Sequence, residues 1–95
     1  LSTALIAMAL SAPAPFALAQ GTPGEQLTRE QAVEIVTRQG MAQVKEIELD
    51  GGEWEVEGCS ADGRELEIDL HHRTGDIVKY DLDRYTDKDC AALAQ

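Results

Sequence analysis

From Val44 to Leu82 side-chain character changes at almost every residue, and that two-residue period leaves few folds open. Successive side chains of a strand point to opposite sides, so an apolar/acidic alternation marks a strand buried on one face and wet on the other. Leu66, Ile68 and Leu70 alternate with Glu65, Glu67 and Asp69, the clearest strand in the chain. Trp54 and Val56 alternate with Glu53, Glu55 and Glu57 in a second. Val44, Ile47 and Leu49 make another just before it, with a slip of parity near Lys45 that predicts a bulge. Val78, Tyr80 and Leu82 complete a fourth. The linkers Asp50-Gly51-Gly52, Ser60-Ala61-Asp62-Gly63 and His72-Arg73-Thr74-Gly75-Asp76 are short and turn-forming, so the strands run as an antiparallel meander.

Ahead of the strands the period is that of a helix. Thr28 is placed to cap it, Gln31 three residues on completes a capping box, and Leu27 can staple onto Ala32. Ala32, Val33, Ile35 and Val36 form the apolar stripe, and Gly40 stands where a left-handed C-terminal residue is expected. The spacing predicts a helix over Arg29 to Gln39. The fold class that follows is α+β: one helix packed on one face of a four-stranded antiparallel meander sheet.

Alternation then sorts the sheet into two faces. Ile47, Leu49, Trp54, Val56, Leu66, Ile68, Leu70, Val78, Tyr80 and Leu82 are expected under the helix. Glu46, Glu48, Asp50, Glu53, Glu55, Glu57, Glu65, Glu67, Asp69 and Asp81 are expected on the other side, with Lys79 the main cation among them. Like charges directly across strands are destabilising. A face that tolerates them reads either as a docking surface for a cationic partner, with a loose divalent-cation site as a variant, or as a solvated face that discourages edge-to-edge pairing. The candidate docking residues are Glu48, Glu53, Glu55, Glu57, Glu65, Glu67 and Asp69. A net charge of −10, with eight basic residues among eighteen acidic ones, excludes an unaided nucleic-acid binder.

The chain divides at its first charges. Every Asp, Glu, Lys and Arg lies between Glu25 and Asp89, while Leu5 to Leu10 is apolar, Pro13 and Pro15 break the run, and Ala17-Leu18-Ala19 is a small-x-small site. Residues 1–19 are read as an export signal cut before Gln20, missing its upstream Met and basic segment; a retained anchor is the alternative. Residues 20–26 read as a flexible leader, 27–82 as the domain and 83–95 as a C-terminal tail. Export places the protein in the periplasm or outside a bacterial cell, with no stable membrane span after cleavage. There, Cys59 and Cys90 are expected to bridge and tether the tail, the alternative being two free thiols.

Motifs for chemistry are sparse. Two cysteines and two histidines cannot build a zinc ribbon. The run Asp81 to Asp89 has spaced aspartates, but Tyr85 stands at the third ligand position and the closing Glu is missing, so it fails the EF-hand pattern and reads as a solvated loop. His71 and His72 are adjacent, so on a strand their rings point to opposite faces; His71 shares the acidic face with Asp69, where a weak zinc or copper contact is conceivable, though a turn-flanking polar pair is the simpler reading. The carboxylates lie on an open face, whereas general acid work needs one desolvated in a pocket. No catalytic residue, cofactor or metal is expected.

The helix LTREQAVEIV followed by Gly40, the alternating VKEIELDGGEWEVEG, the segment ADGRELEIDL and the turn HRTGDIV together resemble the PepSY domain family, in the form found in protease propeptides and YpeB-like proteins. The last piece is similar to the family's Asp-x-x-Thr-Gly-Glu-Val. His71 and His72 stand near where an acidic residue and a proline are common in the family, and the two cysteines are an elaboration. The resemblance implies a small extracytoplasmic module that restrains peptidases without cofactor or catalytic residue. The expected partner is a co-exported peptidase or another protein with a cationic surface; the alternative is an acidic cation-binding or solubilising envelope protein without a protein target.

Overall fold

The computed structural model describes residues 25–93. The export signal expected over residues 1–19, and most of the leader, lie outside these. Element order is α1 (Arg29–Arg38), β1 (Met41–Asp50), β2 (Glu53–Ser60), β3 (Arg64–His71), β4 (Ile77–Thr86) and α2 (Lys88–Leu93). The strands form one antiparallel sheet in the order β1-β2-β3-β4, so the meander and the α+β class both hold.

Helix α1 starts as its sequence dictates. The Gln31 N–H donates to Thr28 Oγ1 at 3.0 Å, and the Thr28 N–H donates to Gln31 Oε1 at 2.8 Å, so the two satisfy each other's orphan groups. Gln39 caps the other end, and Gly40 follows with φ of 111°, a region that a Cβ disfavours. Leu27, just ahead of the cap, ties helix to sheet. Its N–H donates to the His72 carbonyl at 2.7 Å, and its own carbonyl accepts from Trp54 Nε1 at 3.1 Å. Trp54 thus packs its ring against the core and places its only polar atom on a partner.

The core is the seam between α1 and the sheet: Ala32 and Val36 from the helix, Met41 from β1, Val56 from β2, and Leu66, Ile68 and Leu70 from β3. Met41 was not foreseen; one residue beyond Gly40 it turns straight into the seam and is wholly buried. The bulge expected near Lys45 is present, since the β1–β2 register shifts between Val44 and Glu46. Gly58 sits where strands crowd: a Cβ there would lie 2.0 Å from the Gln43 carbonyl oxygen.

One expected inward residue is corrected. The β3–β4 register shifts between Asp69 and Leu70, pairing Leu70 with Ile77 and Asp69 with Lys79. Val78 is the extra residue of that irregularity and is 49% exposed, while Ile77 holds the position opposite Leu70. Tyr80 and Leu82 keep their expected parity opposite Ile68 and Leu66, yet Tyr80 is still half exposed, as is Leu49 on β1. The reason is width. A helix about 10 Å across cannot span a sheet whose outer strands lie roughly 14 Å apart; α1 packs chiefly over β1 and β2, which leaves Tyr80 on β4 outside its cover, while Leu49 lies near the end of β1 beside the turn.

At the far end Cys59 and Cys90 form the expected disulfide, joining positions 31 residues apart. The segment read as a solvated loop is ordered otherwise. β4 continues through Thr86, and Asp87 caps α2 by accepting from the Asp89 and Cys90 N–H groups at 3.0 and 3.1 Å. The Asp87 N–H donates in turn to the Gly63 carbonyl at 2.9 Å, which fixes α2 beside the β2–β3 turn.

Replacing both cysteines by serine should lower unfolding stability by roughly 3–4 kcal/mol, the loop-closure entropy for a 31-residue ring, read as a lower urea midpoint with a steeper slope, since the unbridged denatured chain exposes more surface. Gly58→Ala should cost about 3 kcal/mol or more, because its Cβ meets main chain that cannot step aside without breaking the β1–β2 ladder. A midpoint unchanged in either variant would contradict these assignments.

Candidate functional site

Because β1–β2 keeps a continuous register from Glu46 onward and β2–β3 is unshifted throughout, the outward residues fall into rows that cross the sheet. Glu46, Glu57, Glu67 and Asp81 make one row; Glu48, Glu55, Asp69 and Lys79 the next; Asp50, Glu53 and His71 the third. Each row is a line of directly opposed residues, and the first consists of four carboxylates. Around it, Glu57, Glu65, Leu66, Glu67, Asp81 and Asp83 line a recess.

All seven candidate docking residues sit in β1, β2 and β3, but they are not equivalent. Glu48, Glu57 and Glu65 are exposed, Glu53, Glu55 and Glu67 are half-buried, and Asp69 is 5% exposed. Asp69 therefore lies on the open face without being accessible to a macromolecule. It occupies an inner strand, with Glu55 on one side, Lys79 on the other and Glu67 and His71 along its own strand, so neighbouring side chains close over it.

Cations are few. Among the described residues the ion pairs are Lys79 to Glu67 at 3.2 Å, Lys45 to Glu65 at 3.4 Å and Arg64 to Asp62 at 3.0 Å. The Glu67 carboxylate beside Lys79 holds that ammonium protonated beyond its ordinary range. None of these pairs includes Glu53, Glu55 or Asp69.

The electrostatic consequence is largest at Asp69. Burial, then repulsion from Glu67 and a hydrogen bond with it, then Glu55, push its carboxyl up to about 6, against a smaller opposing pull from Lys79. Glu55 is also raised, by desolvation first and then by Asp50, Glu48, Glu53 and Glu67. Asp62 goes the other way, because Ser60 donates to it and Arg64 lies beside it. Oδ1 of Asp69 is fully shielded and has no hydrogen-bond partner.

The histidines depart from the strand rule. Their ring centroids are 5.0 Å apart, since alternation stops where His72 enters the turn. His71 Nδ1 accepts from the Arg73 and Thr74 N–H groups at 3.1 and 3.3 Å, which makes it a turn cap. That engagement occupies the acceptor nitrogen a zinc or copper contact would need. The signal missed in the sequence was the central position of Asp69: alternation assigns its face, whereas only the register shows that carboxylates surround it.

A folded-state carboxyl raised to about 6 contributes stability that is fully present below about pH 4, where the unfolded Asp also holds its proton, and that is lost as pH rises through 6. In divalent-free buffer Asp69→Asn should match the wild type near pH 4. It should then become the more stable of the two by on the order of 2–3 kcal/mol at pH 7.5, measured by urea unfolding across the range. A gap that does not change with pH would refute the buried-carboxyl assignment.

Comparison with known proteins follows the same lines. No curated protein and no solved structure matches the chain at a significant level. A family model described as the peptidase propeptide and YPEB domain matches residues 1–81, a stretch that takes in α1, β1, β2, β3 and half of β4. The chain, with its capped helix laid over a four-stranded meander, belongs to the PepSY family of peptidase propeptide and YPEB domains.

Proposed function

We propose that this domain is an exported, non-catalytic regulatory module that modulates a peptidase by non-covalent docking of its acidic sheet face. Membership of a family of peptidase propeptide domains supports a propeptide-type or regulatory role in general. The observation that carries the finer reading is the row Glu46, Glu57, Glu67, Asp81 with its flanking carboxylates. It is a broad, like-charged surface that the sheet does not need for its own packing and that costs it repulsion. A partner bearing Lys and Arg would relieve that repulsion and be steered to the face from a distance. Burial of Asp69 and the pairing of Glu67 with Lys79 and of Glu65 with Lys45 leave Glu48 and Glu57 as the candidate residues free to meet such a partner, with Glu53 and Glu55 at the margin. Export is the setting typical of this family, and among the described residues no helix is long and apolar enough to cross a membrane. Periplasmic or secreted localisation is part of the proposal.

Glu48→Lys combined with Glu57→Lys probes the face without touching the core, since both side chains are exposed. The double variant should keep the wild-type melting temperature within a few degrees and should lose at least about tenfold in inhibition of a co-exported peptidase. The wild-type effect itself should weaken as salt rises. Undiminished inhibition by the double variant would exclude the acidic face as the docking surface and direct attention to the open strand edges.

A further inference from the structure

At the end of the acidic face nearest the β1–β2 turn, three carboxylates converge. One carboxylate oxygen from each of Glu53, Glu55 and Asp69 lies within 4.8 Å of those of the other two. Glu53 and Glu55 are half-buried neighbours on one face of β2, and Asp69 stands directly opposite Glu55 on β3. Clustered acidic side chains on a surface are ordinarily kept apart by repulsion. Here one member is 95% removed from solvent, and its Oδ1 is both shielded and without a hydrogen-bond donor. A buried carboxylate oxygen with no donor is costly unless something else supplies positive charge. Lys79, opposite Asp69, offsets this only in small part because its ammonium is engaged with Glu67, and Lys45 is engaged with Glu65.

From this convergence we infer that Glu53, Glu55 and Asp69 form a binding site for a hard divalent cation, calcium being the best match. Calcium is coordinated by oxygens at about 2.3–2.6 Å, so ligand atoms sharing one ion lie up to roughly 5 Å apart, which the three oxygens satisfy. The donor set is oxygen only. His71, opposite Glu53, has its acceptor nitrogen taken by the turn that follows it, which removes the imidazole that would favour zinc or copper. Water on the open side of the face completes a coordination number that calcium, unlike magnesium, accepts in irregular geometry. The site stands apart from the peptidase reading: it needs no partner protein, and Glu57 and Glu65 take no part in it.

The test is thermal unfolding of the purified protein in 10 mM CaCl2 against NaCl of equal ionic strength, both at pH 7.5. Calcium should raise the melting temperature by about 5 °C or more beyond the sodium control, given the affinity ordinary for exported calcium modules. Glu57→Gln removes a charge from the same face outside the site and should retain the full calcium increment. Glu55→Gln and Asp69→Asn should abolish it. Asp69→Asn nearly keeps the shape of the side chain and removes a buried charge, so it should fold; Glu53→Gln serves as a second site variant. An increment no larger than that of sodium would overturn the proposal, as would one that survives Asp69→Asn. Loss of the increment in Glu57→Gln to the same extent would mean diffuse screening and would overturn it equally.

Discussion

One short helix has to cover one side of a four-stranded sheet, and most features of this protein follow from how that helix is held. Burial of Ala32 and Val36 against Val56, Leu66, Ile68 and Leu70 supplies the hydrophobic gain, but ten residues of helix offer little area, so its placement rests on several ties at its entry. Thr28 and Gln31 satisfy the first turn, while Leu27 bonds to His72 on one side and Trp54 on the other. Gly75 reinforces the same corner. A Cβ there would stand 2.8 Å from Ile35 Cδ1 and 3.2 Å from Leu27 Cδ1, and its φ of 77° is one that side chains avoid. The turn between β3 and β4 therefore has two reasons to carry glycine. The disulfide, with α2 capped by Asp87, secures the opposite end of the sheet.

The uncovered face has the inverse problem. It is wet, so repulsion among its carboxylates is screened where they are exposed and costly only where neighbours close over them. Glu57 in the middle of a carboxylate row is exposed, whereas Asp69 two residues from Glu67 is not. Both stand on inner strands, so strand position does not separate them; the Asp69 side chain is a methylene shorter than those of Glu55 and Glu67 beside it and ends closer to the sheet. The same face can thus hold two distinct surfaces. One is a broad exposed patch suited to long-range attraction of a cationic protein, and the other a local convergence suited to one small cation.

Much of the architecture was legible because it is written in local periods. The capping box and Gly40 delimited the helix, and alternation placed Leu66, Ile68 and Leu70 in the core and Glu55, Glu67 and Asp69 on the far side. The bulge at Lys45 was legible from a slip in parity. Failures came where a non-local contact overrode the local pattern. Val78 fell out of the inward set because β4 meets β3 through a shifted register, and His71 and His72 came together because a turn interrupts the alternation. The helix α2 went unrecognised behind a run of aspartates, although Asp87 three residues before Cys90 is a capping signal.

Sequence alone determined which residues share a face wherever alternation runs unbroken, since the direction of a strand side chain depends only on its own backbone; it failed at Val78 and His72, where a bulge and a turn interrupt the strand. It also determined that this face would be acidic and that two cysteines would bridge to tether the tail. Tertiary structure decided which carboxylates became neighbours. Adjacency across strands depends on register, and register is set jointly by every turn, bulge and buried side chain in the sheet. For that reason the burial of Asp69, and its approach to Glu53 and Glu55, belong to the folded sheet rather than to any segment of the chain.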